Sequence, residues 1–131
     1  MPEHLNKKEY NTWIASTLKA NPSLIRDWRW RLTHFYHIVT KEGEKVLFFP
    51  NRAQQEFLEE LETYDRFVIL KSRQLGFSTL VAILFLDKII WEDNKDAGFI
   101  AHTKDAAADI FDKKVMYAIQ NLPDCIKALV N

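Results

Sequence analysis

Apolar positions along the chain change period several times, and each change marks an element. Tyr10, Trp13, Ile14 and Leu18 fall at helical spacing, which predicts a short amphipathic helix over residues 6–20. Asn21-Pro22-Ser23 stops it and caps a second short helix running toward Trp30. Residues 35–40 and 45–49 then flank Lys41-Glu42-Gly43-Glu44, the pattern of a hairpin with a glycine-containing turn. Pro50-Asn51 ends the hairpin. Asn51 caps a helix over residues 52–63, with Phe57, Leu58 and Leu61 on its inner face.

Beyond residue 66 the pattern is denser in apolar residues. Phe67-Val68-Ile69-Leu70 has the length and composition of a buried strand. A polar turn follows, and then a mostly buried helix over residues 80–91. Residues 92–96 form a charged turn, and residues 97–102 read as a second short buried strand. Thr103 caps a helix over residues 104–120 that presents Ile110, Phe111, Val115 and Ile119; Pro123 closes it, and a last turn runs to residue 130. Strand, helix, strand, helix predicts a right-handed crossover that lays the two strands parallel. In such a partial sheet Leu70, Ile83 and Phe99 would lose some of their cover to water, so marginal stability and self-association are expected.

The turn between strand and helix carries the candidate chemistry. It reads Lys71-Ser72-Arg73-Gln74-Leu75-Gly76-Phe77-Ser78-Thr79. Strand, basic glycine-containing loop, hydroxyl residues and helix is the plan of a phosphate-binding loop, in which backbone N–H groups and a helix N-terminus converge on an anion. The usual pattern is G-x-x-x-x-G-K-[ST]. Registered on Gly76 and Ser78, this chain has Lys71 in place of the first glycine and Phe77 in place of the lysine. Lys71 or Arg73 could supply the cation, Ser78 or Thr79 the hydroxyl for Mg²⁺, and Gly76 the close backbone approach. The Phe77 ring is expected to pack. The expected class is α/β: an incomplete P-loop NTPase (parallel-sheet) domain over residues 51–131, preceded by a helical and hairpin segment over residues 1–50.

K-S-R-Q-L-G-F-S-T resembles the deviant Walker A loop of phage terminase large subunits, the ATPases that package DNA into tailed-phage heads. Lys71 matches a lysine shifted to the front of the loop and Arg73 the loop arginine. R-L-T-H-F-Y-H-I-V and V-L-F-F-P-N-R-A-Q-Q-E-F-L resemble the segment before that loop. H-T-K-D-A-A-A-D-I-F, with N-L-P further on, is similar to the strand and helix after it. The resemblance runs from about Leu32 to Pro123. It implies ATP and Mg²⁺ as cofactors, Ser78 as the metal-side hydroxyl, and an adenine-reading glutamine, Gln54 fitting better than Gln55 by its distance from the loop. For a full-length protein it implies double-stranded DNA, a portal protein and a small terminase subunit as partners, in the cytoplasm of a bacterial host. The family's Asp-Glu pair for hydrolysis lies further downstream, so no catalytic residue is expected here. The runner-up reading is a prophage remnant that binds at most a nucleotide or a partner; a P-loop kinase or helicase fits less well.

Bulk properties change this picture little. Lys+Arg 18 against Asp+Glu 18 gives no net charge. Up to Pro50 there are 8 basic and 5 acidic residues, and from Asn51 onward 10 basic and 13 acidic, too slight an asymmetry for a nucleic-acid surface. Cys125 is the sole cysteine, so an internal disulfide is excluded and a reducing compartment is expected. MPEHLNKKEY is polar, unlike a signal peptide, and the apolar run at residues 80–90 is too short to span a bilayer. Asp27-Trp28-Arg29-Trp30-Arg31 suits base stacking with phosphate contact, but more simply a half-buried element with its polar face outward. His34 and His37 have metal-compatible spacing without the further ligands a tetrahedral site needs. Asp87 follows an apolar run as a Mg²⁺-binding aspartate would, yet it belongs to the loop's own helix.

Overall fold

The computed structural model describes residues 5–64, 66, 77–92 and 104–130. Helix α1 (Lys7–Ala20) leads into a 3₁₀ turn (Pro22–Arg26) and α2 (Trp28–His34). A hairpin of β1 (His37–Val39) and β2 (Lys45–Leu47) follows, then α3 (Arg52–Glu60) and α4 (Phe77–Trp91). After α5 (Lys104–Ile110) the helix continues as a π-helical segment (Phe111–Met116) and α6 (Tyr117–Gln120), and α7 (Asp124–Val130) comes last.

The expected α/β class is corrected. Among the described residues the fold is mostly helical, with a two-stranded antiparallel hairpin and no parallel sheet. The class was read from apolar runs too short to separate a buried strand from a buried helix by periodicity. The runs concerned, at residues 67–70 and 97–102, lie outside the described residues, as does the Thr103 cap. The expected exposure of Ile83 is also overturned: it is fully buried, within a core that takes in Ile14, Leu32, Phe35, Phe48 and Leu80.

Local signals set the first elements. Asn6 accepts from the Glu9 N–H while the Glu9 side chain accepts from the Asn6 N–H, a capping box that starts α1. Asn51 and Gln54 form the same arrangement at α3. In the hairpin His37 pairs with Leu47 and Val39 with Lys45. Gly43 has φ +83°, where a side chain would be strained, and its N–H donates to Thr40 O at 2.9 Å. The expected second helix splits. Its first part is the 3₁₀ turn, and α2 starts afresh because Asp27 accepts from the N–H groups of Arg29 and Trp30.

Helix α4 is buried nearly all round, at Phe77, Leu80, Ala82, Ile83, Leu84, Leu86 and Asp87. It packs against α2 on one side and against the α5–π segment on the other. The ends of the chain close on one another: Asn11 of α1 donates to the Asp124 carboxylate at 3.1 Å and accepts from the Asp124 N–H at 3.0 Å.

Candidate functional site

Of the residues singled out for nucleotide binding, Phe77, Ser78 and Thr79 of the loop and the adenine-side Gln54 are described. Lys71, Ser72, Arg73, Gln74, Leu75 and Gly76 lie outside the described residues. Helix α4 (Phe77–Trp91) takes in both hydroxyl residues, which the expected start at residue 80 left outside it. Ser78 is exposed and Thr79 half-buried. The Phe77 ring packs, as expected of an aromatic at the position of the usual lysine: it is 7% exposed and meets Phe57 edge-on at 5.8 Å. That contact joins α3, which carries Gln54, to the start of α4.

Sequence reasoning missed the group that reaches this turn from another element. Lys114, on the π-helical segment, donates from Nζ to Thr79 Oγ1 at 2.8 Å. The two hydroxyls left open by the sequence therefore differ in setting, Thr79 being bonded to an ammonium. Ser78 presents an exposed hydroxyl, a hard oxygen of the kind Mg²⁺ takes.

Gln54 is 4% exposed, and its Oε1 accepts from the Asn51 N–H at 2.8 Å. The capping box thus fixes the amide and engages its acceptor end. Gln55 is exposed, donates to Pro50 O at 2.9 Å, and faces a groove of about 250 Å³ with Arg29, Thr33, Phe49 and Glu59. Gln54 does not line that groove.

At the far end of α4 lies a buried polar cluster, also missed. Asp87 and Arg31 are 3% and 7% exposed. Arg31 donates Nε to Asp87 Oδ1 at 2.9 Å and Nη2 to Oδ2 at 2.8 Å, a two-pronged pair. Its Nη1 donates to Ile25 O at 2.7 Å, and its guanidinium stacks 5.1 Å from the Trp91 ring centre. The Tyr36 hydroxyl donates to Asp87 Oδ1, and burial, with the carboxylate beside it, raises the phenol's pKa above its ordinary value. A lone aspartate in an apolar helix and an arginine among aromatics were the available signal, since such charges are seldom buried unless paired.

This cluster corrects two readings. Arg31 points into the core, so it is not a phosphate contact, and the expected outward polar face of the stretch holds for Asp27 and Arg29 but not for Arg31. Arg29 stacks on Trp28 and pairs with Glu62 at 3.0 Å, both partners exposed. The histidines have structural partners. His34 bonds Trp30 O through Nδ1 at 2.8 Å and stacks on the Trp30 ring, and burial lowers its pKa. His37 bonds Asn121 O through Nδ1 at 3.1 Å with the Tyr10 ring edge-on, and burial, then Lys45, lowers its pKa to about 4. Among the described residues no group of His, Cys, Asp and Glu side chains could hold a metal ion, and no helix is long and apolar enough to cross a membrane.

Comparison of the chain with protein-family models, with curated proteins and with solved structures finds no match.

Proposed function

We propose that this chain is the nucleotide-binding front part of a DNA-packaging ATPase of the terminase large-subunit kind, taking ATP with Mg²⁺ at the segment from Lys71 to Thr79. The observation that supports the reading is that Ser78 and Thr79 lie in α4 at the end next in sequence to the basic stretch from Lys71 to Gly76. Hydroxyl and N–H groups near the N-terminus of a helix suit a phosphate. When bound, Mg²⁺ would offset phosphate charge, with Ser78 as its protein oxygen. Lys71 and Arg73 are the cations for the phosphates, and Arg73 can clamp two oxygens. Double-stranded DNA, a portal protein and a small terminase subunit in a bacterial host cytoplasm belong to the same proposal, for a full-length protein.

Calorimetric titration of the chain with a non-hydrolysable ATP analogue and Mg²⁺ tests the reading. Saturable binding that Lys71→Ala weakens by about tenfold or more is expected, the loss of one charge-assisted contact. Binding unchanged in Lys71→Ala would move the phosphate role to Arg73. No binding by the wild-type chain would remove the nucleotide reading.

A further inference from the structure

We propose that α1 is an acid-released cover: it closes over His37, and a proton added to that ring frees α1 while α2 and α4 stay joined.

Two aromatic residues on neighbouring turns of α1 meet two histidines. The Tyr10 ring meets His37 edge-on at 4.8 Å, and the Trp13 ring lies 5.4 Å from His34. The histidines differ in what a proton would meet. His34 is half-buried and stacks on Trp30, whose aromatic face also suits an imidazolium. His37 is 7% exposed. A carbonyl only accepts, so His37 Nδ1 carries the proton bonded to Asn121 O, and Nε2 is the place for a second one. Little around the ring favours the charge that would result. From β2 comes the Lys45 ammonium, with Lys7 of α1 close enough to act on it. From α1 comes the Tyr10 ring, near Cys125 of α7, while Asp124 is engaged with Asn11. From the end of α6 comes a carbonyl alone. Among the described residues no carboxylate pairs with His37.

Burial and Lys45 keep the covered ring neutral down to about pH 4, against the ordinary 6.5. A ring open to water takes its proton at 6.5, so acid favours any state that uncovers it. Helix α1 is the element placed to yield. Of its 14 residues only Tyr10 and Ile14 are buried, and it packs on the 3₁₀ turn and α7. Helices α2 and α4, by contrast, share the buried Arg31–Asp87 pair, and α4 is covered nearly all round. Segments with few buried contacts open at lower free energy than the core. Release of α1 would bare Tyr10, Ile14 and the His37 ring beneath.

Native-state hydrogen exchange of the full chain, followed in sub-denaturing urea at about pH 7.5 and about pH 5, tests this. The α1 amides are expected to exchange through an opening whose urea dependence is less than about half that of α4. That opening should be about tenfold more populated at the lower pH. His37→Asn keeps a donor for Asn121 O, lacks the titration, and should remove the acid response of α1. Lys45→Met should shrink it, because the covered ring then accepts a proton at higher pH. A urea dependence of α1 as steep as that of α4 would show that the two open together and overturn the proposal. An α1 opening no more populated in acid would do the same. So would an acid response that survives His37→Asn, or one that Asp124→Asn removes. Should His37→Asn fail to fold, Lys45→Met decides: an undiminished acid response there overturns the proposal.

Discussion

At the C-terminal end of α4 a carboxylate is buried and fully engaged: Asp87 takes two bonds from Arg31 and one from Tyr36. At the N-terminal end the hydroxyl residues are half-buried or exposed, and Thr79 accepts from Lys114 of another element. The difference is one of commitment. Charges taken wholly out of water need every bond satisfied, which leaves them nothing to offer a ligand. A hydroxyl in contact with water, like that of exposed Ser78, carries no such demand. One helix thus has an anchored end and a presenting end.

The strongest way to break this contrast is to cut the anchor. Asp87→Ala leaves the Arg31 charge and the Tyr36 hydroxyl buried without their partner, and an expected loss is about 3–5 kcal/mol. Urea unfolding with an unchanged m-value would read it directly. The matched double variant Arg31→Met with Asp87→Leu removes both charges and should regain most of that stability. A loss below about 1 kcal/mol in Asp87→Ala would place the pair in the class of exposed ion pairs and dissolve the comparison.

The presenting end has its own packing support, in Phe77. Truncation to Ala removes a nearly buried ring and its edge-on contact with Phe57, with an expected cost of about 3 kcal/mol. At temperatures where the variant remains folded, nucleotide affinity is expected to fall less than in Lys71→Ala. A larger affinity loss for Phe77→Ala would make the ring part of the binding surface.

Much of the first half of the fold was legible because its signals are local. Asn51 at its cap and Gly43 in its turn act within three or four residues and sit where the pattern put them, and the Asn6–Glu9 capping box, though not read from the sequence, is equally local. The breadth of apolar residues over α4 likewise marked a buried helix. What could not be read acts over distance. Arg31 and Asp87 are 56 positions apart, and Lys114 and Thr79 are 35 apart, so no window of sequence contains either pair. The π-helical turn was invisible for another reason: helix periodicity alone gives no cue for one inserted residue. The α/β class failed on the weakest local signal, short apolar runs without period. The candidate site was legible as far as its hydroxyl pair, but not the lysine that distinguishes one hydroxyl from the other.

A smaller effect separates burial from bonding in the comparison. His37 is held neutral between Tyr10 and Asn121 O, with its pKa lowered to about 4 from the ordinary 6.5. The unfolded chain takes up a proton as pH falls through 6.5, whereas the folded chain resists until about 4. Stability contributed by neutral His37 is therefore fully present above pH 6.5 and is lost as pH falls to about 4. Partial solvent access reduces the loss to about 2 kcal/mol. His37→Asn keeps a donor for Asn121 O and lacks the titration. Its stability should fall less than wild type across this window in urea unfolding, and parallel curves would refute the assignment.

The smallest expected effect is the control for the largest. Arg29 and Arg31 stand two residues apart on α2, and each pairs with a carboxylate and stacks on a tryptophan. They differ in environment. The Arg29 and Glu62 side chains are 46% and 64% exposed, so water competes for both and the pair is screened. Arg29→Ala is expected to cost less than about 1 kcal/mol, and that cost should shrink further in high salt. Arg31→Ala, which leaves Asp87 buried and uncompensated, should cost several times more and change little with salt. Equal costs for the two would show that stacking on tryptophan, which they share, carries the stabilisation. Unequal costs assign it to the buried bonds that only the anchored end of α4 supplies.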